Sequence, residues 1–243
     1  MQDRIERPNL HTAVQEILRA KILSGELQVG ERIIEEKWCQ ILGISRMPLK
    51  LSLVALAEEG LVRIVPRRGA FVNQLSDEDM IELCRIREAL EALAIELAIE
   101  RNDRSQMDAL HEAARRYEAT YRLFAALPDP ERDGSQGSSR FAVLKKEDLD
   151  FHMTLMAMSG NKNLHAMMNG GRLQQLTIGL SENSPRRPFP KEISEEHLAI
   201  ASAVAAGDAA GAKGWMRIHL ARAVETVRWR QRNPQRRQGR EDA

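Results

Sequence analysis

The 243-residue chain carries 36 lysine and arginine residues against 35 aspartate and glutamate residues, so its net charge is close to zero. It has two cysteines, and their spacing is not of a zinc-binding type, which favours a reducing, cytoplasmic compartment over a disulfide scaffold. No apolar run reaches the roughly 18 residues that a membrane span needs, and the start lacks the apolar core of a signal peptide. We therefore expect a cytoplasmic protein of two ordinary domains with no membrane partner.

The first third of the chain has the pattern of a helix-turn-helix. Apolar residues on one helical face predict a first helix over 10–23, and a second, short helix spans about 35–42. A glycine-containing turn at 43–45 separates this helix from a third one that runs to about Glu59. Two helices joined by a three-residue turn with glycine are typical of DNA-binding proteins.

The third helix begins with good capping signals and is followed by a predicted β-hairpin. Ser45 can cap the helix, and Pro48 fits its first turn, where backbone N–H groups lack partners. Two short apolar runs, 61–65 and 70–72, flank a turn with two arginines at its tip. This order of elements predicts a winged helix-turn-helix.

The rest of the chain shows helical patterns only. Stretches rich in proline, glycine and serine predict a mobile connection at 128–139 and a loop at 184–190. We predict a mainly α chain: a winged helix-turn-helix domain over 1–74, an all-α six-helix effector and dimerisation domain over 75–232, and a disordered basic tail over 233–243. The predicted helices of the bundle span about 77–101, 106–126, 145–158, 163–181, 193–206 and 209–231.

The third helix presents cations on its outward face. Its leucines share one face, which leaves Arg46, Met47 and Lys50 pointing broadly the other way. A helix fits the major groove, where a bidentate arginine–guanine pair is the commonest specific contact. We expect Arg46 to make that contact and Lys50 to reach a phosphate or a base. Further cations would hold the DNA backbone or enter the minor groove, namely Arg32, Arg67 and Arg68.

These motifs resemble the GntR family of bacterial regulators, in the FadR-like group that pairs a winged helix with an all-helical effector domain. The resemblance covers nearly the whole chain. It is carried by residues 22–25, 30–32, 42–46, 59–62 and 65–72. By this resemblance, the residues that contact the operator are Arg32, Ser45, Arg46, Lys50 and Gly69.

The recognition helix departs from the family pattern. The family usually has Thr-Pro-Val-Arg-Glu-Ala, whereas residues 47–52 read Met-Pro-Leu-Lys-Leu-Ser. Lysine in place of arginine keeps a point charge but loses forked hydrogen bonding. An outward Leu51 could meet a thymine methyl group but could not accept a hydrogen bond from cytosine. We therefore expect DNA binding with an altered operator sequence.

A carboxylate and three histidines are spaced so that helices can bring them together. Asp148 and His152 are four residues apart and share one helical face. His197 and His219 would be about 33 Å apart along one straight helix, but Gly207 lies between them and predicts a turn that brings the imidazoles level. Such a set suits zinc, nickel or manganese with open positions for a small molecule. From spacing alone, three packed core histidines remain an alternative.

The family resemblance favours the metal site. Metal-binding FadR-like effector domains, of the FCD (VanR) type, carry Asp-x-x-Phe-His, a later Glu-His and a His-Leu in the last helix, and this chain has all three. The resemblance implies a divalent metal, zinc before nickel or manganese. The residues that match its ligand positions are Asp148, His152, His197 and His219. The histidines left as ordinary surface or packing residues are His11, His111 and His165.

The family's Arg-x-x-Leu-Glu signature recurs at residues 87–91. Its arginine commonly faces the pocket and pairs the effector carboxylate, so the resemblance implies Arg87 as an effector clamp. A guanidinium beside an open-sided cation offers two-point capture of a carboxylate. The alternative is that Arg87 pairs Glu91 at helical spacing in a solvated contact.

These observations predict a homodimeric transcription regulator, most simply a repressor, that binds double-stranded operator DNA. A small organic acid at the metal would release or modulate it. One alternative is a metal-sensing regulator, in which the ion itself is the signal. Another is a metal-dependent hydrolase, although the sequence places no proton shuttle beside the site and a hydrolase has no use for a winged helix. We therefore expect no enzymatic activity.

Overall fold

The computed structural model describes residues 10–128, 135–169, 173 and 190–232. The chain divides into two compact units between Gln74 and Leu75. The first unit holds α1 (Leu10–Leu23), β1 (Arg32–Ile33), α2 (Glu35–Leu42), α3 (Arg46–Glu58), β2 (Val62–Val65) and β3 (Gly69–Val72). The second unit holds α4 (Asp77–Arg101), α5 (Arg104–Ala125), α6 (Ser135–Met158), α7 (Lys162–Met168), α8 (Pro190–Ala205) and α9 (Ala209–Arg232). The predicted mainly α fold with a small β wing is confirmed.

The first unit packs its helices against a three-stranded antiparallel sheet in the order β1-β3-β2. Its core joins Val14 and Leu18 of α1 to Leu53 and Leu56 of α3 and to Val72 of β3. The sequence analysis predicted the β2–β3 hairpin but missed the edge strand β1. Two residues are too few for a periodic pattern, so β1 is defined only by its pairing with β3.

The turn before α3 follows the prediction except for its cap. Gly43 ends α2 in the left-handed conformation with a φ of 63°, which glycine adopts at little cost. Ser45 occupies the N-cap position with extended backbone, but its side chain makes no cap hydrogen bond. The predicted capping by the Ser45 hydroxyl is therefore wrong. Pro48 lies in the first turn of α3, as predicted.

The second unit is a helical bundle with a large core and a smaller satellite cluster. The large core includes Leu110, Phe151, Leu155, Ile200 and Met216, which come from four different helices. Long helices here have clear boundaries: Ser76 and Asp79 form a capping box at the start of α4, and the Asp103 side chain accepts hydrogen bonds from the first turn of α5.

The start of α6 corrects one prediction. Residues 128–139 were expected to form a mobile connection before a helix at 145, but α6 already begins at Ser135. Leu144, within the added helical stretch, is buried against Tyr117, Phe124 and Ile193 in the satellite cluster. This tertiary contact stabilises helix where glycine and serine weaken the local signal. Residues 129–134 lie outside the described residues.

Three other predictions fall partly or wholly outside the described residues. The helix predicted over 163–181 corresponds to α7, which ends at Met168 with Asn169 as its C-cap residue, and apart from Leu173 the positions from 170 to 181 are not described. The same holds for residues 184–189 of the predicted loop and for the tail after Arg232. Pro190, the last residue of that predicted loop, begins α8.

Among the described helices, none taken singly combines the length and apolar character of a membrane span. Only α2 and α3, which are bent by 114° at the break between them, have the length and apolar character of a span when they are taken together.

Candidate nucleic-acid interface and metal centre

Helix α3 separates a buried face from an exposed one. Leu49, Leu53 and Leu56 are buried in the core of the first unit. Met47 is 67% exposed and Leu51 is 49% exposed, and the cations of the same face are also exposed. An amphipathic helix whose outer face begins with a cation has the shape and charge to enter a DNA groove. All predicted DNA-contact residues of this helix are exposed, namely Arg46, Met47 and Lys50, and so is Ser45 directly before it.

The wing holds its cations close to one aromatic ring. The guanidinium carbons of Arg63 and Arg68 lie 5.5 and 5.9 Å from the centroid of the Phe71 ring. Strand pairing sets Arg32 opposite Phe71 in the neighbouring strand. Strand β1, which the sequence analysis missed, therefore brings Arg32 to the wing.

The tip of the wing depends on an unusual backbone. Arg67 has a φ of 63°, and Gly69 has a φ of 101°, a value that side chains with a Cβ rarely adopt. A Cβ added at Gly69 would lie 3.5 Å from Arg32 Nε, an ordinary van der Waals contact, so the backbone angle and not space favours glycine. Gly69 therefore allows the turn. The predicted wing residues Arg67 and Arg68 are exposed.

In the second unit, the predicted metal ligands converge. Asp148 and His152 lie on α6, His197 on α8 and His219 on α9, and all four are buried. One ligand atom from each lies within 4.8 Å of every other. The turn at Gly207, with a φ of 73°, separates α8 from α9 as the sequence predicted. The helices therefore bring the four side chains into one cluster.

The imidazoles of His152 and His219 face each other through the same ring atom. Their Nε2 atoms are 3.1 Å apart. On the opposite side of each ring, Nδ1 of His152 lies 2.6 Å from Glu91 Oε2, and Nδ1 of His219 lies 3.2 Å from Glu196 Oε2. Each Nδ1–H thus donates to a carboxylate, which leaves the two Nε2 atoms directed at each other. The two Nε2 atoms are therefore close enough to contact one shared cation.

His197 is held differently from the other two imidazoles. Within the described chain, neither of its buried ring nitrogens has a hydrogen-bond partner, although Nε2 lies 3.5 Å from Asp148 Oδ1. Its ring stacks on Phe151 at 4.0 Å and meets the edge of Tyr117 at 4.9 Å. Burial, and next the charge of His219, lower the pKa of His197 well below its ordinary value. The ring is therefore neutral at pH 7, which is the form that binds metals.

Comparisons with known proteins agree with both halves of this arrangement. The model of the bacterial regulatory protein gntR family matches residues 10–72, and the model of the FCD domain matches residues 82–222. An HTH-type transcriptional regulator from an unstable DNA locus of Streptomyces ambofaciens is 30% identical over 210 residues, which cover 84% of this chain and 78% of that protein. The chain belongs to the GntR family.

Other GntR regulators extend the likeness. The HTH-type transcriptional repressor RspR of Escherichia coli K12 is 25% identical over 229 residues, covering 88% of this chain and 87% of RspR. A crystal structure of a GntR regulator from Rhodococcus sp. RHA1 superposes with a TM-score of 0.74 at 21% identity, covering 90% of this chain and 97% of that one, which shows a shared fold. The GntR chain is a DNA-binding transcription regulator and not an enzyme, so the hydrolase alternative is wrong.

The predicted effector clamp of this GntR regulator already has a partner in the protein. Arg87 is only 2% exposed, and its Nε donates to Glu91 Oε1. Burial opposes its charge, but the attraction of Glu91 and Asp148 outweighs that cost and raises the pKa of Arg87 above its ordinary value. The i, i+4 pairing with Glu91 is therefore present, but it is buried and not solvated as the alternative supposed. A role of Arg87 in effector binding stays a prediction.

Sequence reasoning missed the two carboxylates behind the histidines. Glu91 and Glu196 are buried, and neither was assigned a part in the site. Both had weak signals in the sequence, because Glu91 follows Arg87 by one helical turn and Glu196 directly precedes His197. Nothing local indicates that Glu196 pairs with His219 on the next helix, which only the packing of α8 against α9 brings about.

Proposed function

We propose that this GntR regulator is a homodimeric repressor that binds operator DNA and responds to a small carboxylate held at a divalent metal. The observation that carries the proposal is the buried cluster of Asp148, His152, His197 and His219, with ligand atoms within 4.8 Å of one another, in a chain that also has a GntR helix-turn-helix. Because operator DNA lies in the bacterial cytoplasm, we assign the protein to that compartment.

The donor chemistry supports a divalent metal. One carboxylate and three imidazoles suit zinc, with nickel or manganese as alternatives. The Nε2 atoms of His152 and His219 are 3.1 Å apart, close enough for both to bind one zinc ion at about 2.0–2.1 Å. A bound divalent cation would supply positive charge and a vacant coordination position for a carboxylate oxygen.

The exposed face of α3 and the wing support the proposed operator contacts. Arg46 begins α3, where a side chain can reach base edges in the major groove, and Lys50 follows one turn later. The wing arginines and Arg32 would hold the phosphate backbone. The residues we assign to DNA binding are Arg32, Ser45, Arg46, Met47, Lys50, Arg67, Arg68 and Gly69.

An apolar stripe on α4 supports a homodimer. Ile86 and Leu93 are 51% and 42% exposed, and Leu90 and Leu97 are partly buried against the core. Their spacing of four, three and four residues is the a/d pattern by which two helices pack together. We infer that a second copy of the chain covers this stripe, because a two-fold axis pairs identical helix faces.

Repression that responds to an effector requires coupling between the two sites. The effector must bind more tightly to the arrangement that does not hold DNA. The factor of this preference equals the factor by which the effector weakens DNA binding. In the metal-sensing alternative, the ion itself would have this preference, and DNA affinity would follow free metal concentration without any acid.

A gel-shift experiment with the chain's own promoter region tests this function. Metal-loaded protein should prefer that promoter to random duplex, and candidate organic acids should weaken the complex. The variant His219→Ala should lose the response to acid and keep DNA binding, whereas His165→Ala should behave as wild type, because His165 pairs with Asn169 outside the cluster. If no acid that stabilises the protein changes DNA binding, the switching claim is wrong. DNA affinity that follows free zinc alone would favour the metal sensor.

A further inference from the structure

Two buried carboxylates stand behind two of the candidate metal ligands. Glu91 on α4 accepts from Nδ1 of His152 at 2.6 Å, and Glu196 on α8 accepts from Nδ1 of His219 at 3.2 Å. We propose that Glu91 and Glu196 are positioning residues that hold His152 and His219 with Nε2 directed at the metal. This inference rests on the proposed metal site.

The hydrogen bonds determine which ring nitrogen is available. A carboxylate can only accept, so the proton of each neutral imidazole is held on Nδ1 and the lone pair is on Nε2. The two Nε2 atoms then face each other at 3.1 Å, close enough for one cation to contact both. Histidine ligands of metals commonly donate their other N–H to a carboxylate, which orients the ring and raises its basicity.

Each carboxylate is itself held from behind by an arginine. Arg87 Nε donates to Glu91 Oε1, and Arg222 Nε donates to Glu196 Oε1. One oxygen of each carboxylate therefore contacts an arginine while the other contacts a histidine. The result is two hydrogen-bonded series, Arg87–Glu91–His152 and Arg222–Glu196–His219, built from residues on four helices. Their histidines meet at the two Nε2 atoms. A carboxylate with both oxygens engaged has little freedom to rotate away from its imidazole.

His197 provides a comparison within the same cluster. It contacts no carboxylate through a hydrogen bond among the described residues, and its ring is oriented by Phe151 and Tyr117. Loss of Glu91 or Glu196 should therefore disturb the imidazole that donates to it and leave the packing of His197 intact.

The first test needs no variant and no metal. In metal-free wild-type protein labelled with ¹⁵N-histidine, two-bond nitrogen–proton spectra distinguish the two imidazole tautomers. We expect His152 and His219 to carry the proton on Nδ1. If either ring carries it on Nε2, the proposal is overturned.

The second test measures zinc affinity by competition with a chromogenic chelator. Glu91→Gln and Glu196→Gln should each weaken zinc binding by about 10- to 100-fold, the usual effect of removing such a partner. The matched control is Glu88→Gln, which removes a carboxylate from α4 that pairs with Arg217 at the surface, and its affinity should equal that of wild type. Because Glu91 is buried, Glu91→Asp serves as a second variant that keeps the charge but shortens its reach, and it should also weaken zinc binding.

The outcomes separate this inference from the function on which it rests. Wild-type protein that binds no zinc would overturn both. If wild-type protein binds zinc and the Glu91 and Glu196 variants bind zinc as tightly as Glu88→Gln does, only the role of the two carboxylates is overturned. Melting curves of the metal-free proteins identify the folded variants to which the comparison applies, and the tautomer spectra provide the result if neither variant folds.

Discussion

The two thiols differ in environment although both cysteines are reduced. Cys84 on α4 is buried, whereas Cys39 on α2 is half-buried. Burial is the main cause that raises the pKa of Cys84 to about 11. A raised pKa keeps the unreactive thiol form at neutral pH, because only the thiolate is a good nucleophile.

We therefore predict that iodoacetamide at neutral pH modifies Cys39 first and reaches Cys84 only when the second unit unfolds. Mass spectrometry of the labelled peptides measures both rates. The Cys39→Ser protein should take up no label when folded and one label in urea. Equal labelling rates for the two cysteines in the folded protein would contradict this prediction.

At the scale of one element, α3 combines two tasks along a single helix. Its leucines belong to the core of the first unit, and its exposed face begins with Arg46. Ser52, on the inner side, donates to the backbone oxygen of His11 at 2.6 Å and so ties α3 to α1. The inner face thus fixes the direction in which the outer face points.

We predict that Arg46→Ala reduces binding to the preferred promoter sequence and leaves the fold unchanged. Loss of a bidentate base contact costs about 1–3 kcal/mol, so preference over random duplex should fall by roughly 5- to 150-fold. Fluorescence anisotropy with both duplexes at fixed salt measures the ratio. Arg115→Ala removes an exposed arginine from α5 in the second unit and should have no effect. An unchanged preference in Arg46→Ala would exclude this residue from base recognition.

At the scale of the whole molecule, the apolar stripe of α4 decides the oligomeric state that we propose. Leu93→Glu places a charge within the stripe and should convert the dimer to a monomer, because burying an unpaired carboxylate at an interface is costly. The same substitution at Leu123, which is 59% exposed on α5, should leave the dimer intact. Light scattering after size exclusion measures the mass of both. A Leu93→Glu protein of unchanged mass would show that another surface carries the dimer.

The sequence alone predicted every element of the first unit except β1, and its resemblance to the family implied the four ligand candidates of the second. These features depend on local information, namely helical periodicity over 10–23, a glycine turn at 43–45, and the four-residue spacing of Asp148 and His152. The break at Gly207 was also local, and it sufficed to place His197 and His219 on separate helices that run back past each other.

Only the tertiary structure decided which residues support the site. The pairing of Glu196 with His219, that of Glu91 with His152 and the edge strand β1 all join positions that are far apart or too short to show a period. The early start of α6 likewise depends on Leu144 meeting a cluster built by other helices. Each of these segments is compatible with several arrangements when it is considered locally. The packing of the whole unit selects one arrangement.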